Sequence, residues 1–185
     1  SLLGFTAIAL VSLLFLIAAL RWPNLSNIIF VALVVRVFVL LAGHYIISLP
    51  DSTADAKTFE STAWMLGQEG FNQVWSNFTG PDPYFVTWLI SIPYSLFGRS
   101  LLMAQSVSLL FGMGSIILGW TIANKLWNNH IANKVGWIIA LFPSLILYSV
   151  LVLREVYIVF FLLLALYGVV TWVKNDSFKS IIIAM

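Results

Sequence analysis

What most constrains this chain is a series of apolar runs, each long enough to cross a lipid bilayer. About 30 Å of hydrocarbon is crossed by roughly 20 helical residues at about 1.5 Å each. Runs of that order occupy residues 2–20, 28–49, 101–123, 135–153 and 156–173, and a sixth begins near Ser180. The chain is 61% hydrophobic and only 9% charged, against about 25% charged in an ordinary soluble domain. Water could not solvate that surface, so the expected class is an all-α polytopic membrane protein forming a single transmembrane domain over 1–185. One run departs from the pattern. Residues 84–97 contain Pro93 and extend about 21 Å as a helix, too short to cross. They are expected to be re-entrant or to lie along the interface.

The opening run lacks the basic flank and small-residue cleavage site of a signal peptide. The final residues, "SIIIAM", stop inside an apolar run, and the chain is expected to be a fragment of a longer one. There is no cysteine, which excludes disulfides and thiolate metal sites. The nine Lys and Arg are scattered singly, so no nucleic-acid partner is expected.

Basic residues in short loops set the expected orientation. Arg21, the loop "KLWNNHIANK" and the loop "KNDSFK" fall on one side if the spans alternate, and that side is read as cytoplasmic. The other side receives an outer loop over 50–100 and the turn Arg154-Glu155. That loop carries five acids against Lys57 and Arg99. Within it, residues 54–67 read as an amphipathic helix. Asp51 or Ser52 is its expected cap, Gly67 or Gly70 its expected stop, and Phe59, Ala63 and Leu66 its apolar stripe. The remainder is aromatic, the composition of an interface belt.

Candidate chemistry gathers in "DSTADAKTFE". Asp51 and Asp55 share a face if both are helical, and a carboxylate at headgroup depth can act as a general base. The alternative is a helix cap with solvated charge. Arg154 and Glu155 form either a plain headgroup-level turn or a phosphate-binding pair, since the planar guanidinium fork suits phosphate. Arg99 has the same two readings, with anchoring favoured. Arg36, two turns in from the cytoplasmic end, snorkels or faces a protein interior. His44, near the outer end, is a candidate to join the acidic site, with Glu60 and Tyr84 as further lining residues. No metal set is predicted; if a divalent ion binds, Asp51, Asp55 and a lipid phosphate are its ligands. No other cofactor is identified. Asn77-Phe-Thr79 is read as a chance sequon, and Gly112 and Gly114 as sites of close helix packing.

Several stretches together resemble a known family. "DAKTFESTAWMLGQEG" resembles the first outer loop of GT-C superfamily membrane glycosyltransferases, particularly the dolichyl-phosphate-mannose–protein mannosyltransferase-like group. "PDPYFVTWLISIPYSLFGRS", "LLMAQSVSLLFG", "WTIANKLW" and "WIIALFPSLILYSVLVLRE" resemble the segments that follow, so the likeness runs from about Ile28 to Val173. Departures are the extra span 2–20 and Phe59 where Tyr is commoner. The resemblance implies a GT-C-like helix bundle and an inverting glycosyltransferase. Such an enzyme moves a sugar from a polyprenyl-phosphate carrier to an acceptor hydroxyl on the outer face. Asp55 would be the base and Asp51 the fallback. Arg154 would bind the donor phosphate, with Arg99 a further candidate, and Glu155 would orient Arg154 or the acceptor. The implied partners are the lipid-linked donor, membrane lipids, and a glycan, lipid or protein acceptor. The implied location is a bacterial or archaeal plasma membrane, or the endoplasmic reticulum of a eukaryote, with the site facing outward or to the lumen. Three alternatives stay open: an O-antigen polymerase or ligase-like enzyme, a transporter, and a non-catalytic membrane subunit.

Overall fold

The computed structural model describes residues 2–78, 80 and 82–175. The described residues form helices and connecting turns, in the order α1 (Leu2–Arg21), α2 (Pro23–Tyr45), α3 (Asp55–Gln68), α4 (Phe71–Ser76), α5 (Phe85–Phe97), α6 (Leu101–Leu126), α7 (Asn129–Leu141), α8 (Pro143–Val150) and α9 (Glu155–Asn175). Four of these, α1, α2, α6 and α9, are long and apolar enough to cross a membrane. The run expected near Ser180 lies outside the described residues.

Two boundaries differ from the sequence expectation for physical reasons. The second helix begins at Pro23, a residue whose fixed φ and missing N–H suit the first helical position. Arg36 therefore stands near the middle of α2, not two turns from its end. The run 135–153 is not one helix. It breaks at Phe142-Pro143 into α7 and α8, which are bent by 57°. Proline removes an N–H and drives the preceding residue into extended backbone, and Phe142 has φ −65° and ψ 120°.

That break explains Arg36. Proline at 143 cannot donate to the carbonyl of Ile139, and the end of α7 leaves further carbonyls open. Arg36 fills the gap: Nη1 donates to the Ala140 carbonyl at 2.6 Å and Nη2 to Ile139 at 3.2 Å. The side chain is fully buried, so of the two readings the protein interior is the one observed.

α6 is the axis of the bundle, packed against α1, α2, α7, α8 and α9. Gly112 and Gly114 let α8 and α9 approach it, facing Ser149 and Phe160. Spans successive along the chain run in opposite directions, so α1, α6 and α9 share one direction. At one end Phe5 stacks on Tyr45, and Gly4 meets Leu102. At the other, the Lys125 ammonium reaches the Thr171 hydroxyl at 2.6 Å and Lys174 donates to the Lys125 carbonyl. Arg21, Lys125, His130 and Lys134 thus share the end opposite Asp51, Glu60, Arg99 and Arg154.

The segment between α2 and α6 is folded onto the bundle end. α3 lies against α5, and its buried stripe is Ala56, Glu60, Ala63 and Gly67. The expected stripe of Phe59, Ala63 and Leu66 is offset: only Ala63 is shared, and Phe59 and Leu66 are half-buried. Small residues win because another helix must approach closely. A Cβ on Gly67 would sit 3.0 Å from Tyr94 Cβ. The expected caps are corrected too. The residue before α3 is Ala54, with no side-chain cap. Ser52 instead donates to the Leu49 carbonyl at 2.6 Å, and Asp51 occupies a left-handed turn with φ 59°. Gly67 lies inside α3, whereas Gly70, with φ 94°, follows its end.

Candidate active site

Glu60 is the most constrained carboxylate of the outer end. It stands on the buried stripe of α3 and is 7% exposed. Arg99 clasps it with both edges of its fork: Nε donates to Oε1 at 3.0 Å and Nη2 to Oε2 at 2.7 Å. The Tyr94 hydroxyl donates to Oε1 at 2.8 Å and lies 3.2 Å from the Ser100 carbonyl. Burial pushes the Glu60 carboxyl up, but the hydrogen bonds from Arg99 and Tyr94 and the Arg99 charge outweigh it. The group is held below the ordinary carboxylate range. Burial, then the bond to Glu60, pushes the Tyr94 phenol up.

Around this clasp is a hollow of mixed lining with two lobes of about 470 and 750 Å³. His44, Thr53, Lys57, Glu60 and Leu101 line both. Gln105 reaches the smaller lobe, and its buried Oε1 has no hydrogen-bond partner. Arg99 lines the larger. Lys57 and Gln105 escaped sequence analysis. Lys57 precedes Glu60 by three residues and so shares its face of α3, a signal that was available. Gln105 had none, because it reads as one polar residue in an apolar span.

A different surface holds Arg154. With Asp82, Val86, Tyr157, Ile158 and Phe161 it lines a groove of about 530 Å³ that is chiefly apolar. Arg154 Nε lies 3.8 Å from Glu155 Oε1, an ion pair too long for a hydrogen bond. Glu155 begins α9 and turns its other oxygen inward, buried. Tyr84 lines a third cavity, of about 340 Å³, with Thr62, Glu69, Asn77 and Asp82.

Asp51 and Asp55 are both exposed and line none of these cavities. They do not share a helical face, since only Asp55 is helical. Asp55 opens α3 one turn before Phe59, whose ring meets Tyr84 edge-on at 6.5 Å. Phe59 also packs on the cluster that holds Val152, Val156 and Tyr157. Among the described residues no three His, Asp or Glu gather closely enough to hold a metal ion.

A family model described as dolichyl-phosphate-mannose-protein mannosyltransferase matches residues 81–185, more than half of the chain. The chain belongs to this family. As a mannosyltransferase-family member with four helices long and apolar enough to cross a membrane, it is a multi-pass membrane protein of glycosyltransferase type. The matched region contains Asp82, Tyr84, Arg99, Arg154 and Glu155, while His44, Asp51, Asp55 and Glu60 precede it. Comparisons with curated proteins and with solved structures return no match.

Proposed function

We propose that the protein transfers a sugar from a polyprenyl-phosphate carrier to an acceptor hydroxyl, with inversion, at the outer or lumenal face. The observation that carries this reading is Arg154 at the wall of an apolar groove. A polyprenyl phosphate is an apolar chain ending in an anion. It needs a trough beside a cation, and the groove along α5 and α9 has that form. Arg154 takes the phosphate; Arg99, already clasped to Glu60, serves instead to hold α3 in place.

Asp55 is the base. Its carboxylate removes the proton from the acceptor hydroxyl as that oxygen attacks the anomeric carbon. The bond from that carbon to the phosphate oxygen breaks, and the charge left on the phosphate is stabilised by Arg154. The hollow lined by His44, Lys57 and Gln105 receives the acceptor; Ala54 and Ala56, the chain neighbours of Asp55, lie in its walls, so an acceptor hydroxyl at its rim meets the Asp55 carboxylate. Asp51, in its exposed turn, is the fallback base. The single transmembrane domain with its outer loop over 50–100 is the frame of this reading.

The test uses the full-length protein in lipid bilayers with a panel of radiolabelled polyprenyl-phosphate sugars, dolichyl-phosphate mannose included. Transfer from one donor, lost in Asp55→Asn while donor binding persists, supports the assignment. Turnover unchanged in that variant removes Asp55 from the mechanism.

A further inference from the structure

Four buried side-chain polar atoms lack a hydrogen-bond partner among the described residues: Arg36 Nε, Thr87 Oγ1, Gln105 Oε1 and Glu155 Oε2. Two of them belong to groups of opposite charge, and those two residues line the same small cavity. Its volume is about 10 Å³, and its wall includes Gly112, Ser115, Ile139 and Tyr148. That is about the space one water molecule requires.

The Arg36 charge is not free to leave, and one oxygen of Glu155 is buried beside it in the same cavity wall. Arg36 is pinned by two bonds to the end of α7, which leave Nε as the one guanidinium nitrogen without a partner. Glu155 is divided between Arg154 on one side and the bundle interior on the other. An unpaired charge in that interior is costly, whereas opposite charges joined by hydrogen bonds stabilise each other.

We propose that one internal water joins Arg36 to Glu155, making Arg36 a positioning residue for Arg154. The water accepts from Arg36 Nε–H and donates to Glu155 Oε2, and the Ser115 or Tyr148 hydroxyl supplies a third partner. Glu155, anchored by one oxygen, presents the other to Arg154 and keeps that guanidinium beside the groove. Arg36 thus acts on the donor phosphate from mid-bundle without touching it. This rests on Arg154 being the phosphate ligand.

The experiment uses full-length protein in lipid nanodiscs. The probes are polyprenyl phosphate and the uncharged polyprenol. Variants are Arg36→Gln, Glu155→Gln, the double variant, and Arg154→Gln. Glu155→Gln and Arg36→Gln should each weaken polyprenyl phosphate binding about tenfold, the effect of outer-shell partners at other charged sites. Polyprenol binding should stay level, which a general loosening of the bundle would not allow. The double variant should bind no worse than the weaker single one. Losses that multiply, or that fall equally on polyprenol, overturn the proposal.

Thermal unfolding reads the internal link apart from the donor. Tm losses at 36 and 155 that are less than additive support it, and additive losses overturn it. If Arg154→Gln leaves phosphate binding unchanged, the phosphate reading falls, while the Tm cycle still decides the link. Should Arg36→Gln fail to fold, Arg36→Lys, which keeps the charge in place, replaces it in both cycles.

Discussion

Arg99 and Glu60 meet in a two-pronged pair, Nε to Oε1 at 3.0 Å and Nη2 to Oε2 at 2.7 Å, although 39 residues separate them. The pair joins the helix that begins with Asp55 to the turn that starts α6. It therefore sets where the candidate base stands relative to the bundle.

Removing Arg99 leaves a buried carboxylate held by Tyr94 alone. Arg99→Met is expected to destabilise the packing of α3 by about 1–3 kcal/mol. The figure lies below that of a wholly buried pair because the Arg99 side chain is 50% exposed. Glu60→Gln keeps an acceptor for Tyr94 and should cost less. Limited proteolysis of the 50–100 loop, alongside Tm, measures both. Equal stability of Arg99→Met and the parent chain would show that the clasp holds nothing.

The same pair predicts an acid limb. The Glu60 carboxyl is held below its unfolded range, so the folded state binds fewer protons at that site. Its contribution is complete above the unfolded value, about 4.3. It is lost as pH falls through the lower folded value. Trp64 stacks edge-on against Tyr94 at 6.1 Å and reports the change. Its fluorescence should hold steady at neutral pH and shift only below about pH 4. Glu60→Gln should abolish that limb.

Gly112 should tolerate little. A Cβ there would meet Ser149 Cβ directly and lie 3.3 Å from Ser149 Cα, which is backbone and cannot swing aside. Gly112→Val is expected to cost about 1–3 kcal/mol by overpacking. Ser149→Gly in the same chain should recover part of the lost Tm. No recovery would move the clash elsewhere.

Asp55 and Arg154 should separate in kinetics. Asp55→Asn removes a group used only as the acceptor is deprotonated, so kcat should fall about 10²–10⁴-fold while the donor KM holds. Arg154→Gln should raise the donor KM as well, and Arg154→Lys should restore it only partly, because a single ammonium replaces a planar fork. Steady-state transfer assays on the full-length enzyme would distinguish the two patterns. Matching profiles would merge the roles assigned here.

Much of the architecture was legible because it depends on length and apolarity alone. The four long spans follow from runs that water cannot solvate, and the charge bias of the loops matches the two ends of the bundle. Arg154-Glu155 was legible as a charged pair between apolar runs. Sequence reasoning about α3 was less complete. Amphipathicity identified a helix, but of the stripe read from spacing only Ala63 held, and Phe59 and Leu66 gave way to Ala56, Glu60 and Gly67. The facing surface is another helix, and close approach favours small side chains over large ones.

The chain's order of residues determined by itself that this is a membrane bundle. It determined too that the acids gather at one end, whereas the break that Pro143 makes in the run 135–153 emerged only in the structure. The first two outcomes follow from local physics: hydration of side chains and the rise of a helix. Only the tertiary structure decided which polar groups meet. Arg36 finds the carbonyls of Ile139 and Ala140 more than a hundred residues away, Glu60 finds Arg99, and Glu155 comes to line one small cavity with Arg36. A buried charge must be paired, but nothing in its own neighbourhood along the chain names the partner. The packing of α2, α7 and α9 around α6 chooses it.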